Sequence, residues 1–153
     1  MQLNFLITGC HGDIAFSIAS IIRKHFKKIK LIGTDVETNG IGNLLFDNIY
    51  KVPLVSDKKY DQTIFAISKS VDLIIPSTEN EIIFFARNIK KFNNKILINN
   101  PEIINLFSNK LRTQKFLRKN FKDLSLKFSV KLSDYLNKKI NPPFFLKKKS
   151  GSG

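Results

Sequence analysis

Short apolar runs alternate with longer amphipathic stretches through most of the chain. Most of these runs are too short for a helix and stop at a glycine, an aspartate or a proline, which is typical of buried β-strands. Four strands and one short extended piece are predicted in this way, at residues 3–8, 29–34, 71–76, 95–99 and, for the extended piece, 50–54. Residues 36–47 are rich in glycine and asparagine and are predicted to form a loop.

The segments between the runs carry apolar residues at helical spacing. Five helices are predicted, at residues 13–28, 59–70, 78–91, 101–107 and 109–121. Thr78 and Glu81 form a T-x-x-E capping box that opens the third of them. Ser108 is placed to cap the last one.

Strands and helices that alternate at this spacing favour right-handed βαβ units. Such units build a parallel sheet with helices on both faces, so we predict an α/β fold with an open, doubly wound parallel sheet. The alternation weakens after Ser108, which predicts one domain at residues 1–108 and the beginning of a second at residues 109–153. A last strand is predicted at residues 143–148.

Composition narrows the class of protein. The single cysteine, Cys10, excludes an internal disulfide and a multi-cysteine metal site. No apolar run approaches the roughly 18 residues of a membrane span, so we expect a cytoplasmic protein with no membrane partner. The net charge of +14 raises the possibility of nucleic-acid binding. Because the lysines are scattered, we interpret them as a solvated surface and expect no nucleic-acid partner, although a basic, non-catalytic interaction module remains an alternative.

A glycine turn joins the first strand to the first helix. In "TGCHGDIA", Gly9 and Gly12 lie between the two elements, and Asp35 follows the second strand. This is the arrangement of a dinucleotide fold, in which the turn approaches a phosphate and the acid binds a ribose. The pattern leaves two interpretations open, an NAD(P)-binding epimerase or reductase, or a tight turn with Asp35 solvated or capping. His11 is expected to be solvated or to bind backbone groups, and Cys10 to be a small buried hydrophobe.

The order of motifs from Asp35 onward resembles a known family. The run "DNIYKVP" at residues 47–53, Tyr60 at the start of a helix and "VDLIIPSTENEI" at residues 71–82 follow one another at a specific spacing. In this order they resemble the Rossmann-like N-terminal domain that precedes the ATP-grasp fold in ligases similar to the large subunit of carbamoyl-phosphate synthase. Further on, "SNKLRTQKFLRKN" resembles a helix of that family, and "PPFFLKKKSGSG" resembles its phosphate-binding strand and glycine loop.

The resemblance implies a function and a set of ATP-binding residues. Ligases of this family use ATP to activate a carboxylate as an acyl phosphate, which they transfer to an amine or another nucleophile. The residues implied to contact the ATP phosphates are Lys110, Lys147, Lys149, Ser150, Gly151, Ser152 and Gly153. The sequence departs from the family pattern at Asn109, where an aspartate is usual, and at Lys148 and Lys149, where proline and arginine are usual.

The same resemblance implies that the ATP-grasp element in this chain is incomplete. The family's Mg²⁺ ligands lie downstream of the glycine loop, so we assign no metal ligand and no catalytic residue here. ATP and Mg²⁺ are expected in the complete enzyme, together with a small-molecule carboxylate substrate and the missing C-terminal half. The isolated chain is expected to be inactive and to bind neither cofactor tightly.

Overall fold

The computed structural model describes residues 2–93 and 95–124, together with residues 133, 136, 137 and 147. The chain divides into two compact units, Met1–Pro101 and Glu102–Gly153. The alternation of elements predicts a boundary after Ser108, whereas the chain divides seven residues earlier, after Pro101. That the second unit begins an ATP-grasp domain stays a prediction.

The first unit is built on a four-stranded parallel sheet. Its strands, in chain order, are β1 (Leu3–Thr8), β2 (Ile29–Asp35), β3 (Asn48–Lys51) and β4 (Leu73–Ile75). In space the order is β3-β2-β1-β4, and every neighbouring pair is parallel. The chain therefore starts at the centre of the sheet, builds outward on one side and then crosses to the other. The predicted α/β fold with a doubly wound parallel sheet is confirmed.

Helices cover both faces of this sheet. They are α1 (Asp13–His25), α2 (Tyr60–Ser68) and α3 (Glu79–Arg87), with short 3-10 helices at Ile41–Leu44 and Ile89–Phe92. Leu6 packs in a core cluster with residues of α2 and α3, while the next residue, Ile7, packs with α1 on the opposite face. This alternation follows from the two-residue period of a strand. Each such buried aliphatic side chain contributes about 1.5–3 kcal/mol to stability.

The predicted strand at residues 95–99 is wrong in extent. This segment forms a single parallel bridge between Ile96 and Ile74. The Ile74 N–H donates to the Lys95 carbonyl at 2.7 Å, and the Leu97 N–H donates to the Ile74 carbonyl at 2.8 Å. The next N–H donor after Ile74 in this ladder would be that of Pro76, directly after β4. Proline has no N–H, so the ladder stops after one step.

Helix α4 (Pro101–Phe107) begins at the last residue of the first unit and continues into the second, which also contains α5 (Lys110–Asn120) and a 3-10 helix at Lys122–Leu124. The predicted cap of α5 is wrong by one residue, because Asn109 is the N-cap. Its side-chain oxygen accepts from the backbone N–H groups of Leu111 at 3.1 Å and Arg112 at 3.0 Å. Ser108 is still engaged with α4, since its backbone N–H donates to the Ile104 carbonyl at 2.9 Å.

Two further predictions concern length and position. The strand predicted at residues 143–148 lies outside the described residues, apart from Lys147. The piece predicted at residues 50–54 is β3, which begins two residues earlier and ends at Lys51. Within the described ranges, no helix has the length and apolar character needed to cross a bilayer.

Candidate functional site

The carboxyl ends of the parallel strands bring three loops to one edge of the sheet. The glycine turn follows β1, the loop after Asp35 follows β2, and residues 76–78 follow β4. In open α/β sheets, ligands bind at this edge. The polar groups of these three loops therefore form the candidate site of the first unit.

Gly9 is the residue that the glycine turn requires. Its φ is +60°, a left-handed conformation that strongly favours glycine. A Cβ at this position would lie 2.6 Å from the Thr78 methyl carbon and 2.9 Å from Ser77 Oγ. Gly12, the N-cap of α1, has an ordinary φ of −81°, and a Cβ there would lie 3.3 Å from the Gly9 carbonyl oxygen. The two glycines of the motif are thus unequal, and only the first is demanded by backbone conformation.

A buried carboxylate lies directly behind this turn. Glu81 is only 4% exposed. It accepts hydrogen bonds from three hydroxyl groups, those of Thr8 at 2.8 Å, Tyr60 at 2.9 Å and Thr78 at 2.6 Å. These donors come from the end of β1, the first residue of α2 and the N-cap of α3.

The capping box predicted for α3 is therefore formed only in part. The Thr78 hydroxyl does accept from the Glu81 backbone N–H, at 3.4 Å. The Glu81 carboxylate, however, points into the protein toward Thr8 and Tyr60. A capping box is a local pattern, whereas these two donors become neighbours of Glu81 only through the fold.

The carboxylate changes the chemistry of its neighbours. Burial raises the pKa of the Tyr60 phenol far above its ordinary value, and the charge and hydrogen bond of Glu81 raise it further. Tyr60 therefore stays protonated and acts as a hydrogen-bond donor. The fully buried Cys10 thiol, in the glycine turn, has its pKa raised to about 12, first by burial and then by the Asp35 carboxylate. It is an inert thiol, as the sequence predicts.

His11 and Asp35 connect the loops that follow β1 and β2. The His11 backbone N–H donates to one Asp35 oxygen at 3.1 Å, and the Val36 N–H donates to the other at 2.7 Å. The His11 ring accepts from the Gly42 N–H at Nδ1, at 3.1 Å, and its Nε2 lies 3.2 Å from the Glu37 carbonyl oxygen. In these contacts Nδ1 accepts a hydrogen bond, and Nε2 faces a carbonyl acceptor. His11 is a backbone-binding residue, and Asp35 has a capping role.

The side chains of Cys10, His11 and Asp35 offer one ligand atom each within 4.8 Å of one another. Their chemistry does not fit a metal ion. Both ring nitrogens of His11 are used by backbone groups, so the imidazole has no free nitrogen to offer an ion. The cluster is better explained as a hydrogen-bonded connection between two loops.

Of the seven residues predicted to bind ATP, the described part of the chain includes Lys110 and Lys147. Lys110 is the first residue of α5 and is half-buried, and Lys147 is exposed. The remaining five lie outside the described residues: Lys149, Ser150, Gly151, Ser152 and Gly153. Their role as a phosphate clamp stays a prediction.

Comparison with known proteins identifies the family. Residues 5–98 match the family described as "PylC-like, N-terminal domain". The chain belongs to this family. The resemblance to the domain that precedes the ATP-grasp fold in ATP-grasp ligases is thereby confirmed.

Solved structures share the fold of this PylC-like domain. The ATPase subunit of phosphoribosylaminoimidazole carboxylase from Aquifex aeolicus aligns over 78% of this chain and 32% of its own, with a TM-score of 0.53 and 20% identity. N5-carboxyaminoimidazole synthetase from Staphylococcus aureus aligns over 78% and 30%, with a TM-score of 0.59 and 15% identity. The biotin carboxylase domain of 2-oxoglutarate carboxylase from Hydrogenobacter thermophilus, in complex with MgADP and bicarbonate, aligns over 78% and 28%, with a TM-score of 0.58 and 14% identity.

The extent of these matches also bears on the function. The chain spans about a third of the length of these solved structures. Comparison with curated proteins gives no match. The activity of the whole protein, its substrates and its partners are therefore matters of proposal.

Proposed function

We propose that this chain is the N-terminal portion of an ATP-grasp ligase that uses ATP to activate a carboxylate as an acyl phosphate. The match of residues 5–98 to the PylC-like N-terminal domain is the observation that carries the proposal. The parallel sheet with strand order β3-β2-β1-β4 supports it, because solved structures of carboxylases and synthetases share this fold. In this proposal the ligase is similar to the large subunit of carbamoyl-phosphate synthase and acts in the cytoplasm.

The chemistry of phosphoryl transfer determines which groups the complete enzyme would need. Such a reaction needs cations that hold the phosphates and a metal that bridges them. In the complete enzyme, Lys110, Lys147 and the glycine loop after Lys149 would contact the phosphates, and carboxylates beyond this chain would hold Mg²⁺. Relatives of the same fold have been solved with ADP or MgADP, which agrees with that cofactor set. The first unit would bind the carboxylate substrate, at the edge of the sheet where the parallel strands end.

The test compares this chain with a longer chain that contains a complete ATP-grasp domain. Both are titrated with ATP in the presence of Mg²⁺ by isothermal calorimetry. We expect saturable binding by the longer chain and at least tenfold weaker binding, or none, by residues 1–153. Equal affinity of the two chains would contradict the proposal, because the clamp would then be complete without the downstream carboxylates.

A titration with NADH on the same two chains separates the proposal from the epimerase or reductase alternative. The ligase proposal expects no NADH binding to either chain. Saturable NADH binding with no ATP binding would instead identify the first unit as a dinucleotide-binding domain.

A further inference from the structure

We propose that Glu81 is a positioning residue that holds the glycine turn and the loop after β4 in fixed register at the carboxyl edge of the sheet. Glu81 does not itself contact substrate in this proposal, because it is only 4% exposed. Its carboxylate instead accepts a hydrogen bond from one hydroxyl group in each of three segments that end or begin at that edge. The donors are Thr8, Tyr60 and Thr78.

The glycine turn packs closely against residues 77–81 at Gly9. The space that a Cβ would need at Gly9 is filled by Thr78 at 2.6 Å, Ser77 at 2.9 Å and the Glu81 carboxylate at 3.5 Å. The Ser77 hydroxyl also donates to the Thr8 carbonyl at 2.6 Å. The backbone of the glycine turn therefore packs against residues 77–81. The Glu81 carboxylate is hydrogen-bonded both to Thr8, which precedes the turn, and to Thr78.

The hydrogen bonds that Glu81 accepts also constrain where their donors lie. A buried carboxylate is stable only when its oxygens accept hydrogen bonds, and its hydrogen bonds are directional. Glu81 Oε2 accepts from both Thr8 and Thr78, so this one atom sets the distance between the end of β1 and the start of α3. Its position in the first turn of α3 adds a favourable interaction with the helix dipole. An apolar residue here could fill the space but could not fix the two loops in one register.

The functional consequence rests on the proposed function. If the carboxyl edge binds the substrate of a ligase, the backbone groups of the glycine turn and of residues 77–78 must keep a fixed geometry, since small displacements of a positioned group reduce catalysis strongly. Glu81 would supply that geometry from inside the fold. The positioning itself can be measured without ATP or substrate, so its failure is distinguishable from failure of the ligase proposal.

The experiment measures amide hydrogen exchange by NMR on the whole chain. The reporters are the amides of Cys10 and Gly12, which donate to the carbonyls of Thr34 and Gly9 at 3.1 and 3.0 Å. Glu81→Gln keeps the shape of the side chain but replaces an acceptor oxygen by a donor. We expect exchange at the two reporters to rise roughly tenfold more than at the amides of the β1–β2 ladder.

Two control variants make the result specific. Ile64→Val removes a methyl group from the same core cluster and leaves Glu81 and its three hydroxyl donors chemically unchanged. Exchange in each variant is compared relative to its own free energy of unfolding, measured in urea. Tyr60→Phe removes one hydroxyl donor, and it keeps the test available if Glu81→Gln does not fold. Local opening of the turn in Glu81→Gln or Tyr60→Phe, and its absence in Ile64→Val, supports the proposal. A uniform rise in exchange across the sheet in all three variants would overturn it, as would an unchanged turn in a folded Glu81→Gln protein.

Discussion

The Arg23 guanidinium donates to an oxygen of Asp47 at 2.7 Å, and the same oxygen accepts from the Leu31 backbone N–H at 2.7 Å. Arg23 also donates to the carbonyls of Leu45 at 2.8 Å and Ile29 at 3.2 Å. These contacts connect the C-terminal part of α1 to the start of β2 and to the residue before β3. One ion pair thus anchors the edge strand of the sheet to its central part.

The pair predicts a pH dependence of stability. Burial by itself would raise the pKa of Asp47, but the hydrogen bonds from Arg23 and the Leu31 N–H outweigh burial and lower the pKa below its ordinary value. A lowered folded-state pKa gives stability that is present above about pH 4 and is lost as the pH falls further. We expect Asp47→Asn to reduce the free energy of unfolding by about 1 kcal/mol at neutral pH, with the pair's partial exposure taken into account, and by much less near pH 2.

Urea unfolding at the two pH values measures this effect. Glu37→Gln is the control, since its pair with Lys51 is 3.3 Å long and both side chains are about two-thirds exposed, at 65% for Lys51 and 69% for Glu37. A loss at neutral pH no larger in Asp47→Asn than in Glu37→Gln would show that the Arg23 connection does not stabilise the sheet edge.

The two glycines of the turn are predicted to differ. Gly9→Ala forces a side chain into a left-handed conformation and onto Thr78, and we expect it to cost more than about 2 kcal/mol. Gly12→Ala meets only the Gly9 carbonyl oxygen at 3.3 Å and should cost less than about 1 kcal/mol. Unfolding midpoints in urea decide the order, and a larger loss in Gly12→Ala would contradict the turn geometry.

The sequence predicted the framework well because its signals are local. The apolar runs of β1 and β2 and the glycine between β1 and α1 are all read within a few positions. The role of Glu81 could not be predicted in the same way, because Thr8 is 73 residues distant in sequence and becomes its neighbour only through folding. The strand expected at residues 95–99 failed for a related reason. Its own residues are suited to a strand, but its partner β4 is followed by Pro76, which lacks the next donor.

Asp35 gives a test of the dinucleotide-binding alternative. Both of its carboxylate oxygens accept backbone N–H groups, from His11 and Val36, so a capping role accounts for the acid. We expect no saturable change in NADH fluorescence up to millimolar concentrations of the wild-type chain. Saturable binding that is lost in Asp35→Ala would instead identify a ribose-binding acid.

The Cys10 thiol predicts a second pH dependence, at alkaline pH. Its folded-state pKa of about 12 lies above the unfolded value, so the unfolded chain releases this proton first. The contribution of Cys10 to stability is therefore complete below about pH 9 and decreases as the pH rises, by roughly 1–2 kcal/mol at pH 10. Urea unfolding of the wild type and Cys10→Ala should show a steeper alkaline loss in the wild type. Equal slopes in the two proteins would contradict this prediction.

The phosphate clamp gives the last prediction. Residues 1–153 should show no ATP hydrolysis with simple carboxylates and Mg²⁺, because the proposed metal ligands belong to the rest of the enzyme. In a chain with a complete ATP-grasp domain, Lys147→Ala should weaken ATP binding at least tenfold, since it removes a cation from the phosphates. Lys58→Ala, which changes an exposed lysine of the first unit, is the matched control and should leave affinity unchanged. Hydrolysis by the short chain at a rate that Lys147→Ala does not alter would contradict both the clamp and the ligase proposal.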